Sequence, residues 1–258
     1  MVRDDDPAYA RRFSAAERSH SFGSVAAAYE RGRPGYPVAA ARWAVGRDTG
    51  TVLDLGAGTG KLTRILAALG YETIAVEPDD AMRAVIRETS PSTRGLTGSA
   101  EAIPVPARSV DAIVVAQAWH WFDHARAAAE VARVVRPGGH VALLYNIRDE
   151  CVPWVERFAR ATGERFGAPS EPLEFDGVRR RPGFGAVENR EFAHVERLTI
   201  DDLVALARSF SFVALLPDDE CRHVIETVAA IGRGAAAPDG LVDLPYRLFA
   251  ARAVVGIG

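Results

Sequence analysis

The sequence has very little cysteine and no long apolar run. Two cysteines, Cys151 and Cys221, stand far apart among 258 residues, which excludes a disulfide scaffold and the paired spacing of a zinc site. No stretch approaches the roughly 20 apolar residues of a membrane span, and the N-terminus lacks the basic start and apolar run of a secretory signal. We therefore expect a soluble globular protein of the reducing cytoplasm, with no membrane partner.

An excess of charge of either sign is also missing. The formal net charge is −3, from 31 Lys+Arg and 34 Asp+Glu, and such a balance gives no long-range attraction for nucleic acid, although a local basic patch could still bind it. Lys61 is the one lysine, so arginine supplies almost all of the positive charge. This skew fits either a GC-rich coding sequence or an arginine-lined site for anions.

Short apolar runs alternate with amphipathic stretches between residues 51 and 146, a pattern typical of an α/β fold built on a parallel sheet. Residues 136–139, Arg-Pro-Gly-Gly, predict a break between a helix and the next strand. Residues 163–185 contain Pro and Gly and are predicted to form a surface segment. Two helices are predicted after it, between the late strands. The predicted strands are 51–55, 72–76, 94–97, 110–116, 140–145, 190–198 and 241–255.

The most informative motif is residues 52–60, Val-Leu-Asp-Leu-Gly-Ala-Gly-Thr-Gly, a buried strand running into a glycine turn that opens a helix. Glycines let the backbone turn tightly and let a ligand approach where a side chain would collide. A dinucleotide-binding turn needs its third glycine one place later, where Lys61 stands, and the Gly-Lys-Ser/Thr of a Walker loop is absent. The turn therefore indicates a different ligand.

A carboxylate follows the second predicted strand. Glu77, followed by Pro78, lies nineteen positions after Gly58, where an acid can accept hydrogen bonds from both hydroxyls of a ribose. The alternative is a solvated glutamate at a strand end, which the glycine turn before it disfavours. Turn and acid together predict a cofactor that contains a nucleoside.

Further motifs, together with these two, carry a resemblance to a known family. Their order and spacing resemble those of the class I S-adenosylmethionine-dependent methyltransferases, in the type 11 branch that acts on small molecules. The matching segments are residues 22–29 (FGSVAAAY), 33–37 (RPGYP), 98–104 (GSAEAIP), 109–112 (SVDA), 116–122 (AQAWHWF), 136–139 (RPGG) and 244–247 (LPYR).

With this resemblance we predict one domain, residues 1–258, with a Rossmann-like doubly wound sheet. The sheet is expected to be mostly parallel, with an antiparallel strand near the C-terminus and a helical cover over its open end. Residues 1–45 would form an N-terminal helical lid, 51–146 the cofactor-binding core, and 147–258 the substrate cover and late strands.

The resemblance implies S-adenosylmethionine as cofactor and matches residues to each of its parts. Tyr29 and Arg33 would fold over it, and Arg33 has a physical reason to meet its carboxylate, because an arginine–carboxylate pair is a charge-assisted contact. The other matched positions are Asp54, Gly56, Ala57, Gly58, Thr59 and Gly60 for the methionine part, Glu77 and Pro78 for the ribose, Ala100 and Glu101 for the adenine, and Gln117 for the sulfonium end.

The implied reaction transfers methyl to an O, N or C nucleophile of a small metabolite by in-line displacement. Positioning can contribute about 7 to 11 kcal/mol to such a step, and a base is needed only if the nucleophile must lose a proton. His120, just past the fourth strand, is the candidate base or substrate-orienting group, against a purely structural role. His20, Trp119 and Trp121 are candidate substrate contacts, and for the two tryptophans core packing is the alternative. No metal is implied.

Two other functions stay open from the sequence. A nucleic-acid methyltransferase is encouraged only by three arginines at 179–181, and the segment after the fourth strand, Gln117 to His120, is unlike the Asn-Pro-Pro-Tyr type that cradles a flipped base. A protein of this fold that binds the cofactor without transferring methyl is the second alternative. We therefore expect a small-molecule substrate and no nucleic-acid partner, and the sequence makes no prediction of oligomeric state.

Overall fold

The computed structural model describes residues 30–46, 49–163, 178 and 181–256. Within these residues seven strands form one mixed sheet in the order β3-β2-β1-β4-β5-β7-β6, with an antiparallel strand near the C-terminus. The predicted α/β fold class is therefore confirmed. The strands are β1 Thr51–Leu55, β2 Glu72–Val76, β3 Arg94–Leu96, β4 Val110–Ala116, β5 Val135–Arg148, β6 Glu188–Leu198 and β7 Val242–Val254.

The amphipathic stretches between the strands of the parallel sheet form helices. Asp79 begins one of them by accepting a hydrogen bond from the backbone N–H of Met82 at 2.9 Å, as an N-cap residue does. No helix within the described ranges is long and apolar enough to cross a bilayer. The helices are α1 Val38–Val45, α2 Lys61–Ala68, α3 Asp80–Thr89, α4 His124–Val134, α5 Pro153–Thr162, α6 Ile200–Arg208, α7 Ser211–Ala214 and α8 Asp218–Ala235.

The central strands are parallel and buried. In β1, Leu53 pairs with Ile74 of β2 on one side and with Ile113 of β4 on the other. Apolar residues on both faces explain why β1 and β4 are nearly continuous hydrophobic runs. The strand order reverses between β1 and β4, and such a switch point leaves a crevice at the carboxyl ends of the strands where ligands bind in open α/β sheets.

The described residues fall into two compact units, each assembled from several segments of the chain. One contains residues 30–34, 147–163 and 193–247, and the other contains 35–46, 49–146, 178, 181–192 and 248–256. The second unit holds two clusters of buried apolar side chains, and the first holds one cluster, which includes Phe158 and Phe210. Assignment of the whole chain to a single domain stays a prediction.

Strand β5 is longer than predicted at both ends. It continues to Arg148, and at its start residues 136–139 do not form a turn outside the sheet. The strand begins at Val135, which pairs with Val110, and the register then shifts so that His140 pairs with Ala112. Gly138 adopts a φ of +84° at this irregularity, and its N–H donates to the carbonyl of Val255 at 2.7 Å. The glycines thus allow a bulge within a continuing strand.

Candidate active site

The glycine turn lies between β1 and α2 and has the backbone that its sequence predicts. Gly56, Gly58 and Gly60 have φ values of +70°, +55° and +82°, a region that side-chain-bearing residues rarely adopt. A Cβ added at Gly56 would lie 2.8 Å from the Cβ of Ala118. The turn after β1 and the segment after β4 therefore pack against each other at the switch point.

The carboxylate of Glu77 is buried against this turn. Its Oε2 accepts a hydrogen bond from the N–H of Gly58 at 2.9 Å, and its Oε1 accepts one from the N–H of Asp79 at 3.0 Å. Burial raises the pKa of Glu77 although both hydrogen bonds oppose the shift. Pro78 beside it is exposed. The acid predicted for the ribose thus adjoins the glycine turn.

A second carboxylate, Asp54 of β1, is buried deeper. Its Oδ2 accepts a hydrogen bond from Thr63 Oγ1 at 2.6 Å, whereas its Oδ1 has no hydrogen-bond partner within the described part of the chain. Burial raises the pKa of Asp54 to about 7, and the nearby charge of Glu77 adds to the shift. The hydroxyl of Thr59 is also buried and, among the described residues, unpartnered. Buried polar groups are normally paired, so these atoms point to a ligand.

Gln117 follows β4 with a strained backbone. Its φ is +57°, and such a conformation costs a non-glycine residue about 1 to 3 kcal/mol and is concentrated at functional sites. The backbone N–H donates to the carbonyl of Leu144 at 2.9 Å, and the side-chain Nε2 donates to the carbonyl of Asn146 at 2.8 Å. The amide is thus fixed at the carboxyl end of β4.

An aromatic 3₁₀ turn, Trp119–Trp121, comes next. Trp119 is 2% exposed and belongs to the core of its unit, stacking on His124 with ring centroids 5.6 Å apart. This burial favours the core-packing interpretation for Trp119. His120 is exposed and Trp121 is half-buried, with their ring centroids 4.6 Å apart. These two side chains are therefore the more accessible of the three.

The predicted adenine contacts have structural partners of their own. Ala100 is buried. Glu101 Oε1 accepts a hydrogen bond from the N–H of Asp123 at 2.9 Å, and Asp123 is the N-cap residue of α4. Glu101 therefore fixes the start of that helix in this structure.

Of the three N-terminal candidates, only Arg33 lies within the described residues. Arg33 belongs to the unit that contains Ser209, where its Nε donates to Ser209 Oγ at 2.9 Å and its guanidinium lies 4.8 Å from the ring centroid of Phe210. Tyr29 and His20 lie outside the described residues. Within the described ranges no three His, Cys, Asp or Glu side chains are grouped so that they could hold a metal ion.

Sequence reasoning missed three residues of this site. Thr63, the hydrogen-bond partner of Asp54, lies nine positions after it, in the first turn of α2, and this spacing is a signal that could have found it. Tyr145 approaches His120, with 3.4 Å between the phenol oxygen and Nδ1. Asn146 accepts from Gln117 through its carbonyl. No motif predicts the last two contacts, because they join the segment after β4 to β5, which is distant in sequence.

Comparison with known proteins gives the family. The methyltransferase-domain family model matches residues 53–143. An uncharacterized methyltransferase of Mycobacterium bovis is 42% identical over 249 residues, which cover 94% of this chain and 98% of the relative. The structure of a candidate type II methyltransferase from Anaeromyxobacter dehalogenans is 27% identical, with a TM-score of 0.61, and the match covers 86% of this chain and 97% of that one. The chain therefore belongs to the class I S-adenosylmethionine-dependent methyltransferases.

A more distant structure shares the fold and contains the demethylated cofactor. Haemonchus contortus phosphoethanolamine N-methyltransferase 2, in complex with phosphomonomethylethanolamine and S-adenosylhomocysteine, is 17% identical, with a TM-score of 0.53. The match covers 95% of this chain and 61% of that one.

The arrangement of these residues suits a cofactor that contains a nucleoside, independently of the comparisons. The glycine turn presents backbone without side chains, Asp54 and Thr59 each carry a buried polar atom without a partner among the described residues, and Glu77 supplies a carboxylate beside the turn. Amino groups and hydroxyl groups are donors that form hydrogen bonds with such acceptors.

Proposed function

We propose that this methyltransferase acts on an O, N or C nucleophile of a small metabolite. The observation that carries the proposal is the convergence of Asp54, the glycine turn and Glu77 beside the strained Gln117, at the carboxyl ends of β1, β2 and β4. Such a convergence provides one cofactor site and, next to it, one position for a substrate.

In this proposal the chain's residues hold the parts of S-adenosylmethionine as the resemblance implies. Glu77 accepts hydrogen bonds from the ribose hydroxyls, and Asp54 with Thr59 and the glycine turn meets the methionine part. When bound, the cofactor supplies a methyl carbon whose bond to sulfur breaks as the bond to the nucleophile forms, leaving the electron pair on sulfur. The positions proposed at the adenine, the sulfonium end and the methionine carboxylate are Ala100, Glu101, Gln117, Arg33 and Tyr29.

The chain contributes mainly orientation. A nucleophile held in line with the methyl carbon needs no further activation if it is already unprotonated. If the nucleophile carries a proton, His120 takes that proton, because the His120 imidazole is exposed and lies just past the end of β4. Trp121, in contact with His120, contributes an apolar surface for the substrate.

A small substrate is supported by the segment after β4. Trp119 is packed into the core, and the Gln117 amide is engaged by Asn146, so this segment differs from one that frames a flipped base. The net charge of −3 also gives no general attraction for phosphates.

Two experiments on the full chain test the proposal. The first is calorimetric titration with S-adenosylmethionine. The second is mass spectrometry of reactions with carboxylic acids, phenols and amines as acceptors. We expect saturable binding, and with an acceptor a mass gain of one methyl together with S-adenosylhomocysteine. Folded protein that does not bind the cofactor would overturn it. A gel shift with nucleic acid that weakens steeply with salt, accompanied by nucleic-acid methylation, would replace the small-molecule assignment.

A further inference from the structure

His120 and Tyr145 meet at the carboxyl ends of β4 and β5. The Nδ1 atom of His120 lies 3.4 Å from the phenol oxygen of Tyr145, and their ring centroids are 6.0 Å apart. This distance is longer than the usual range of about 2.7 to 3.2 Å, and catalytic hydrogen bonds are often long before substrate binds. Both residues belong to the unit that holds the glycine turn.

Tyr145 is held firmly relative to the end of β4. Its neighbours in β5, Leu144 and Asn146, both accept hydrogen bonds from Gln117, one from the backbone N–H at 2.9 Å and the other from the side-chain Nε2 at 2.8 Å. Leu144 also pairs with Ala116, the last residue of β4. The backbone that carries Tyr145 is therefore fixed relative to Gln117 by contacts on both sides of it.

His120 is held with similar firmness by its 3₁₀ turn. Trp119 anchors the turn in the core, the Trp121 N–H donates to the carbonyl of Ala118 at 3.0 Å, and the Phe122 N–H donates to that of Trp119 at 3.1 Å. Two side chains on rigid elements keep a fixed mutual geometry, as a catalytic pair requires.

The identity of the nitrogen that approaches Tyr145 has a chemical consequence. A neutral imidazole carries one N–H, so Nε2 of His120 can accept a proton only if Nδ1 carries the hydrogen. Burial raises the pKa of Tyr145, so its phenol stays neutral, and a neutral phenol can either donate to Nδ1 or accept from an Nδ1–H. In the arrangement in which the phenol accepts, the Nδ1–H of His120 has a partner and Nε2 carries the lone pair.

We propose that Tyr145 is a positioning residue for methyl transfer, which accepts the Nδ1–H of His120 and so keeps Nε2 ready to take a proton from the substrate. This inference rests on the proposed function, and it narrows the substrate to molecules whose nucleophile still carries a proton near neutral pH, such as a hydroxyl or an ammonium group. Nε2 takes the nucleophile's proton, and the electron pair left on the nucleophile bonds to the methyl carbon as that carbon leaves sulfur. The resulting imidazolium still donates from Nδ1 to Tyr145.

The tautomer of His120 tests this directly. The full chain labelled with ¹⁵N-histidine is recorded by two-bond ¹H–¹⁵N spectra at pH 8, with and without S-adenosylhomocysteine. The His120→Gln variant identifies the His120 signals by their loss. We expect the Nδ1–H tautomer in the parent and, in Tyr145→Phe, a shift to the Nε2–H form that free histidine prefers in water.

Two results would overturn the proposal. Predominance of the Nε2–H tautomer in the parent shows that the phenol donates instead of accepting, and this result does not depend on whether Tyr145→Phe folds. The same tautomer in Tyr145→Phe as in the parent, with binding of S-adenosylhomocysteine retained within about twofold, shows that Tyr145 does not set it. Because the tautomer is read without turnover, failure of the proposed function, seen as absent cofactor binding or absent methyl transfer, is a separate result.

Discussion

The hydroxyl of Thr63 donates a hydrogen bond to Oδ2 of Asp54 at 2.6 Å, inside the core where neither side chain contacts solvent appreciably. One hydrogen bond does not compensate a buried carboxylate for the loss of water, so the pKa of Asp54 rises to about 7. The protein thus keeps an acid whose charge depends on pH near neutrality, at the position that the cofactor is proposed to occupy.

The first prediction concerns stability and pH. The folded chain retains a proton on Asp54 that the unfolded chain releases near pH 3.8, so between about pH 4 and about pH 7 this residue should lower the free energy of unfolding by about 1.4 kcal/mol per pH unit as pH rises. Asp54→Asn, which still offers Thr63 an acceptor, should remove that decline and exceed the parent in stability above pH 7.

Urea unfolding of the ligand-free protein at pH 5, 6, 7 and 8 measures the difference. Asp201→Asn, at an exposed position in α6, is the matched control and should follow the parent at every pH. Parallel curves for Asp54→Asn and the parent would contradict the burial of an ionisable group at this position.

The second prediction concerns cofactor affinity. Glu77→Gln keeps the size of the side chain but removes one of the two carboxylate oxygens that can accept from the ribose, so we expect binding of S-adenosylmethionine to weaken about tenfold or more. Glu88→Gln makes the same chemical change at an exposed site in α3 and should leave the affinity unchanged. Equal dissociation constants for Glu77→Gln and the parent, measured by calorimetry, would refute the ribose assignment.

The third prediction concerns the glycine turn. Gly56→Ala places a Cβ 2.8 Å from that of Ala118, on a backbone with φ of +70°, so it should lower the free energy of unfolding by about 1 to 3 kcal/mol and reduce cofactor affinity. Gly95→Ala in β3, where an added Cβ meets nothing within 4 Å, should be tolerated. Thermal melts of both variants, with and without S-adenosylhomocysteine, measure the loss of stability and of binding. Equal melting temperatures for the two variants in both conditions would count against a strained turn.

The fourth prediction separates a ligand role of Arg33 from its structural one. Arg33 is bonded to Ser209, so Arg33→Ala should lower stability whatever its contact with the cofactor. If it also meets the methionine carboxylate, the variant should bind S-adenosylhomocysteine at least fivefold more weakly but 5′-methylthioadenosine, which lacks that carboxylate, as the parent does. Arg31→Ala, which removes an exposed pair with Asp202, is the control, and an equal loss for both ligands would contradict the carboxylate contact.

Local sequence was sufficient for the strands at the centre of the sheet. The bounds predicted for β1, β2 and β4 agree with the structure, because each is a short apolar run between clear breaks and a strand buried on both faces needs little else to be recognised. The extent of β5 could not be predicted. Residues 136–139 are typical of a turn, and only the pairs of Val135 and His140 with β4 on either side of them and the hydrogen bonds with Val255 keep them in the strand.

By itself the sequence determined the α/β fold, the glycine turn and the acid that follows β2, since backbone sterics and hydrophobic periodicity act locally and leave a readable pattern. The tertiary structure decided how those parts function together. It places the carboxylate of Glu77 within hydrogen-bond distance of the Gly58 N–H, nineteen positions earlier in the chain. It also leaves one oxygen of Asp54 without a partner among the described residues and brings Tyr145 of β5 close to His120 after β4. Such contacts depend on strand order and register, which no local pattern encodes. The contact of His120 with Tyr145 and the raised pKa of Asp54 therefore follow from packing alone.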